Sequence, residues 1–232
     1  MRDEDRQSIR KLELFSSLSD AGLDVLLNAA YVQRFPSHVQ LIREGDPADF
    51  LYVVLQGAVE LFSANHARET TMAMVTPVST FILAATIKDA PFLMSARTVK
   101  PSQLLLIPSR NVRNVFEKDP AFARAIVAEL ACCYRVVVKS MKNLKLRTAV
   151  ERVGNYLLRL QDGTNGSNEV VLPMGKKQLA SMLGMTPENL SRAFLALQSH
   201  GVMVDGPRIE ILDTEALAAF CRPTTLIDDP NS

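Results

Sequence analysis

The sequence is poor in the residues that build metal centres. Its 232 residues include three cysteines and three histidines. Cys132, Cys133 and Cys221 lack C-x-x-C spacing, and none lies in the first half of the chain. Cys132 and Cys133 are adjacent, so on a helix they would point about 100° apart and chelate poorly. Three thiolates fall short of the four an iron–sulfur cluster takes, so buried structural thiols are expected. His38 precedes an extended run, His66 sits in a turn, His200 follows a helix, and no H-x-H pair occurs. A metal-dependent enzyme of the cupin type therefore stands only as an alternative reading, beside a protein–protein interaction module. No metal site is expected.

Long apolar runs are missing too. None approaches the ~20 residues of a spanning helix. The opening "MRDEDRQSIRKLELF" has no apolar segment of secretory type. No membrane partner is expected, and a cytoplasmic location is the default. Nor does one sign of charge dominate: 26 Lys and Arg face 25 Asp and Glu, for a formal net charge of +1. Bulk electrostatics offer nothing to nucleic acid, so a DNA-binding function must rest on local placement of charge.

What is present is a change of texture along the chain. Residues 9–31 read as helical, with "LSDAGLDVLLNAA" opening at the capping candidate Ser19. From Val32 to Ile107 short β-rich runs follow, among them "FLYVVLQ", "AVELFSA", "MSARTV" and "SQLLLIP", separated by turn signals such as "EGDPAD" and "KDAP". Their even spacing predicts an antiparallel barrel or sandwich of about eight strands. At residue 119 a long helix begins. Asp119 is a good N-cap and Pro120 fits the first turn. Phe122, Ile126, Leu130, Cys133, Val137, Met141 and Leu144 then recur every third or fourth position as one apolar stripe. A stripe this narrow and long suggests a seam against a second copy, formed by Ile126, Leu130, Cys133, Val137 and Met141. Packing on the chain's own barrel is the alternative. Residues 145–160 predict a further helix, and the tail "PTTLIDDPNS" is expected to fray.

Residues 176–199 carry the most specific pattern. A short helix from Lys176 to about Leu183 ends at Gly184, which tolerates a left-handed turn. Thr186 can cap a second helix, with Pro187 at its first position. Leu179, Leu183, Leu190, Phe194 and Leu197 supply a shared core, as in a helix-turn-helix. "GVMVDGPRIEIL" predicts a hairpin that would be its wing. In such a unit the start of the second helix enters the major groove. Glu188, Ser191 and Arg192 fall there on one face. Arg192 can bond guanine twice, Glu188 can accept from cytosine N4, and Ser191 can meet a base edge. Lys176, Lys177 and Thr186 are candidates for phosphate contact. Double-stranded DNA is thus the expected partner. The expected fold class is α+β: a β-barrel sensor domain of jelly-roll type (1–118), a dimerisation helix (119–144) and a winged helix-turn-helix (145–232).

This order resembles the superfamily of the cyclic-AMP receptor protein and the fumarate–nitrate reduction regulator (CRP/FNR), over residues 12–220. "REGDPADFLYVVLQGAVELF" looks like the family's turn-and-strand segment, with Gly45 and Gly57 at turns. "GMTPENLSRAFLALQSHGVM" looks like the recognition helix of the fumarate–nitrate branch, whose Glu-x-x-Ser-Arg pattern falls on Glu188, Ser191 and Arg192. The resemblance implies a homodimeric transcription regulator, not an enzyme. It would bind an inverted repeat similar to TTGAT-N4-ATCAA and act with RNA polymerase. It implies a jelly-roll sensor of the cyclic-nucleotide type, but "STFILAATIKDAPFLMSARTV" departs from that pattern. The family's ribose acid falls near Leu83 and its phosphate arginine near Met94; only Ser95 matches. Burying a phosphate without a cation carries a large penalty, which argues against cyclic AMP. On a strand, Arg97 should face away from Met94 and Ala96. The iron–sulfur cysteines of the fumarate–nitrate regulator are absent as well. An apolar pocket lined by Phe81, Leu83, Phe92, Met94 and Ser95, with Ile82, Ile87 and Leu93 nearby, is left as the effector site. It resembles the haem-dependent nitric-oxide sensors of the DNR/NnrR type. Haem, a small apolar effector and no ligand all remain open, as does activation versus repression.

Overall fold

The structure, a computed structural model, describes residues 7, 9–66, 68–164 and 167–229. The chain divides into two compact units between Cys133 and Tyr134. That boundary falls inside the long helix rather than at either of its ends.

The first unit begins with two short helices, α1 (Glu13–Ser16) and α2 (Asp20–Leu27). Ser19 caps α2, accepting from the Gly22 amide at 3.0 Å. Six strands follow: β1 (Tyr31–Phe35), β2 (Gln40–Ile42), β3 (Phe50–Asn65), β4 (Arg68–Val75), β5 (Ser79–Phe81) and β6 (Ser95–Pro108). They form one antiparallel sheet in the order β1-β6-β3-β4, with β2 paired to β6 and β5 to β3. The path is open rather than a closed barrel.

Among the described residues the strand count is six rather than eight because predicted breaks are bends. "FLYVVLQ" and "AVELFSA" are one strand, β3, and "SQLLLIP" continues the strand begun by "MSARTV". The β3–β6 register slips repeatedly between Val54 and Val59. Gly57 sits in that irregular stretch with φ +96°, and a Cβ there would lie 2.5 Å from Ser102 Cα. Glycine therefore permits a bulge that curves the sheet, where the sequence signalled a turn.

Two cores back this sheet. Residues of α2, of α4 (Ser109–Lys118) and of the first turns of the long helix join one, around Phe15, Leu51, Leu105, Ile107 and Phe122. The other, around Val54, Leu61, Phe81, Ala96 and Leu104, belongs to the opposite face of the strands.

The long helix α5 runs from Pro120 to Leu146. Its N-terminus forms as the residues dictate: Asp119 Oδ1 accepts from the Ala121 amide at 2.8 Å and the Phe122 amide at 3.1 Å. The predicted seam divides. Phe122 and Ile126 are fully buried in the chain's own core, so Ile126 is not open to a second copy. Leu130 packs partly on the same core. Cys132, Cys133, Val137 and Met141 are exposed.

The second unit contains the end of α5, then α6 (Ala149–Asp162), β7 (Glu169–Val171), α7 (Lys176–Met182), α8 (Pro187–Leu197), β8 (Val202–Asp205), β9 (Arg208–Ile211), α9 (Thr214–Cys221) and α10 (Thr225–Asp228). α6 starts four residues later than the sequence suggested. Thr148 and Glu151 form a reciprocal capping box there and break the helix after Leu146. β7, β9 and β8 make a small antiparallel sheet, and Asp213 caps α9 through the Ala216 amide at 2.8 Å. The tail expected to fray is ordered through Asp229, with a helical turn at Thr225–Asp228.

Candidate nucleic-acid interface

The site is the corner between α7 and α8. Leu179, Ala180 and Leu183 from the first helix pack with Leu190, Ala193, Phe194 and Leu197 from the second in one buried cluster. A fully buried leucine contributes about 1.5–3 kcal/mol, so the crossing is held chiefly by apolar contact. Gly184 takes φ +64°, and the Met185 amide reaches back to the Ala180 carbonyl at 2.9 Å. A left-handed residue between two helices turns the chain sharply, which glycine allows without strain. Thr186 then caps α8, its hydroxyl accepting from the Asn189 amide at 3.3 Å, and Pro187 opens the helix.

With Leu190, Ala193, Phe194 and Leu197 turned inward, the other side of α8 is open. Glu188, Ser191 and Arg192 are all exposed, on the one face their spacing predicted. Sequence reasoning passed over Leu195, three residues beyond Arg192, whose apolar side chain is 66% exposed on that same face. Its signal was legible: an isobutyl group at the i+7 position from Glu188 has no core to meet. Ser191 Oγ donates to the Pro187 carbonyl at 3.0 Å, an internal bond it can exchange for an outside partner. The Glu188 carboxyl is held below its ordinary pKa by a hydrogen bond from its own amide, by the Thr186 hydroxyl and by the Arg192 charge. It is therefore an acceptor at neutral pH.

The expected phosphate contacts are placed unevenly. Lys176 and Lys177 are exposed at the start of α7. The Lys176 ammonium lies 5.7 Å from the centre of the Phe194 ring, a weak cation–π contact. Thr186 is engaged in its cap. The hairpin β8–β9 turns at Gly206, φ +58°, and forms the wing as expected.

The expected effector residues do not surround one space. Phe81, Phe92 and Met94 belong to the second of the two cores, where Phe81 stacks on Tyr52 with ring centroids 5.2 Å apart. Leu83 opens a short helix, α3 (Leu83–Lys88), and is buried in the other core. Leu93 points to solvent, 84% exposed. The change of side follows from Ile82, whose left-handed backbone turns the chain from β5 into α3. Ser95 accepts from the Glu44 amide at 3.0 Å. Arg97 is the cation nearest in sequence, and it turns the other way from Ala96. It bonds Glu60 at 2.8 Å and Glu69 at 2.6 Å, with its guanidinium 4.2 Å from the centre of the Phe62 ring. Arg97, two residues beyond Ser95 on the same strand, is thus committed to carboxylates. Among the described residues there is no cluster of three or more His, Cys, Asp and Glu able to hold a metal, and no helix long and apolar enough to cross a membrane.

A sensor-type β-roll, a long helix and a winged helix-turn-helix with an open polar recognition face define a DNA-binding transcription regulator. Residues 32–119 match the cyclic nucleotide-binding domain family and residues 151–220 the Crp-like helix-turn-helix domain family. A solved structure named as that of a "putative cAMP-binding regulatory protein" from Silicibacter pomeroyi DSS-3 is 30% identical, with a TM-score of 0.60, covering 96% of this chain and 100% of that one. DNR from Pseudomonas aeruginosa is 28% identical, with a TM-score of 0.52, over 95% and 99%. The transcriptional activator protein anr of the same species is 24% identical over 185 residues, 78% of this chain and 76% of that protein. The chain belongs to the CRP/FNR family of transcription regulators, which is not a family of enzymes.

Proposed function

We propose that the protein works as a cytoplasmic homodimer that reads an inverted repeat of the TTGAT-N4-ATCAA type through α8. The observation that carries this reading is the two-sidedness of that helix. Its apolar side is fully committed to the core, while Glu188, Ser191 and Arg192 are left open behind a capped N-terminus. Arg192 bonds guanine O6 and N7, Glu188 accepts from cytosine N4, and Ser191 exchanges its internal bond for a base edge. Leu195, one turn further along, sets an apolar group where a thymine methyl would lie. Lys176 and Lys177 hold phosphates, and Thr186 joins them once its hydroxyl proton turns from Glu188 to the phosphate, fixing register without reading sequence.

The dimer seam uses the exposed part of the α5 stripe: Cys133, Val137 (58% exposed) and Met141 (52%), with Leu130 at its edge. Pairing two helices would cover these side chains. The signal enters the β-roll. Arg97, the cation nearest Ser95, is already paired with Glu60 and Glu69, so an apolar effector or haem fits the Phe81, Phe92 and Met94 side better than a cyclic nucleotide does. A role in anaerobic or nitrogen-oxide metabolism follows from the resemblance of the sequence to the nitric-oxide sensors of the DNR/NnrR type. RNA polymerase is the partner through which such a regulator acts.

The test is a titration of labelled inverted repeat against excess random DNA, with sedimentation of the free protein. Dimers that bind the repeat selectively support the reading; monomers, or equal affinity for random DNA, overturn it. An absorption spectrum with nitric oxide or carbon monoxide separates haem, which gives a shifting Soret band, from a colourless effector.

A further inference from the structure

The C-terminal segment is built into the junction between the long helix and the helix-turn-helix. Asp228, at the end of α10, is nearly buried, and so is Arg147, with side chains 10% and 7% exposed. They meet in a two-pronged pair, Arg147 Nη1 to Oδ1 at 2.7 Å and Nη2 to Oδ2 at 2.5 Å. Arg159, on α6, donates to the same Oδ1 at 2.9 Å. The Thr224 amide donates to Oδ2 at 2.8 Å. Every acceptor direction of this carboxylate that the fold reaches is in use. Two lysines of α5 hold the segment as well: Lys139 Nζ donates to the Asp229 carbonyl at 2.7 Å and Lys142 Nζ to the Leu226 carbonyl at 3.4 Å.

Arg147 lies in the two-residue gap between α5 and α6, where the helical hydrogen bonding is interrupted. Its carbonyl accepts from Arg152 Nη1 at 2.8 Å. The same Arg152 guanidinium donates to the Leu183 carbonyl at 2.9 Å and towards the Gly184 carbonyl at 3.4 Å. Those two carbonyls belong to the turn that aims α8. The turn also presses on α5 directly: a Cβ at Gly184 would come within 2.5 Å of Leu144 Cδ2. Charge-assisted bonds thus link the Asp228 carboxylate to the Arg147 side chain, and the Arg147 carbonyl through Arg152 to the corner in front of the recognition helix. Such bonds are directional, and a bidentate pair fixes orientation as well as distance. No base or phosphate contact is asked of any of these groups.

We propose that Asp228 is a positioning residue for DNA recognition: through Arg147 and Arg152 it fixes the aim of α8 relative to the long helix, and so the half-site spacing that the protein accepts. This rests on the reading of α8 as the base-reading helix of a dimer. A dimer needs its two recognition helices about one helical turn of DNA apart. A junction free to swing would bring each helix to its own half-site but would lose the fixed separation.

The experiment compares wild type with Asp228→Asn, which keeps the shape and some hydrogen bonding but removes the charge. Affinities are measured for the inverted repeat, for repeats with the spacer lengthened by one and by two base pairs, and for a single half-site. Wild type is expected to lose at least tenfold per added base pair. Asp228→Asn is expected to bind the half-site as wild type does, to bind the natural repeat at least tenfold more weakly, and to show little dependence on spacer. Amide hydrogen exchange should quicken at residues 183–186 in the variant. Unchanged affinity with an unchanged spacer profile overturns the proposal. Equal loss on half-site and repeat overturns it too, because that is a purely structural defect. Should Asp228→Asn not fold, Asp228→Glu keeps the charge but moves it out of two-pronged register. It must then flatten the spacer profile to a smaller degree, and wild-type behaviour there sinks the proposal. If wild type itself ignores the repeat, the reading of α8 has failed and not this inference alone.

Discussion

Arg152 Nε donates to the Leu183 carbonyl at 2.9 Å, tying the first turn of α6 to the last residue before the glycine corner. The bond satisfies a carbonyl at the end of α7 that has no partner within its own helix. Replacing Arg152 by Ala leaves that carbonyl and the Arg147 carbonyl without their donor. A cost of about 1–3 kcal/mol is expected for such unmet groups. Calorimetry should show the transition of the second unit lowered. An unchanged melting profile would mean that water replaces the guanidinium at no cost.

The same unit should weaken in acid. Burial on its own would raise the Asp228 carboxyl; the hydrogen bonds from Arg147 and the Thr224 amide, with the Arg147 and Arg159 charges, outweigh it and leave the pKa lowered. Glu151 is lowered as well, by its bonds from the Thr148 amide and hydroxyl. A carboxylate with a lowered folded pKa stabilises the fold above its unfolded value, and that stability is lost as pH falls through the folded value. Melting temperature should therefore hold at neutral pH and decline below about pH 4, where unperturbed carboxyls titrate. Asp228→Asn should melt lower at neutral pH, towards the lower end of the about 3–5 kcal/mol typical of a broken buried pair. Its acid slope should also be shallower. A variant as steep as wild type would assign the acid sensitivity elsewhere.

Gly57→Ala tests the bend in β3. The position has φ +96°, and the added methyl would lie 2.5 Å from backbone at Ser102. Left-handed backbone costs a non-glycine residue about 1–3 kcal/mol, before any clash is counted. The first unit should melt lower while the second is unaffected. Equal melting of the variant and wild type would show that the register at Ser102 shifts freely.

Lys177→Ala addresses the phosphate contacts. Loss of one phosphate contact should weaken binding to every DNA sequence alike and lower the slope of log affinity against log salt by about 0.9. A change in sequence preference, with the slope intact, would contradict the assignment.

The helix-turn-helix was legible in the sequence because local chemistry determines it. Gly184, Thr186 and Pro187 each have one conformational use, and the apolar spacing on either side agrees with them. Caps at Ser19, Asp119 and Asp213 were readable for the same reason. Strand number was not, since Gly57 marks a bulge and a turn with the same residue. What lies across the sheet is a long-range fact. The effector residues suffered most: Phe81 and Leu83 are two positions apart, yet the left-handed Ile82 between them sends their side chains into different cores. Ile126 falls on the predicted seam because periodicity reveals a face but not what covers it. The C-terminal segment looked frayed because its order depends on Arg147 and Arg159, 81 and 69 residues away.

The central claim is that the open face of α8 reads bases. The most direct measurement is the affinity of wild type and Arg192→Ala, at one fixed salt concentration, for the inverted repeat and for a repeat whose half-site guanines are replaced. Wild type should lose about 1–3 kcal/mol on the replaced repeat, while Arg192→Ala should bind both weakly and alike. If Arg192→Ala binds the natural repeat as tightly as wild type and still prefers guanine, another surface reads the DNA.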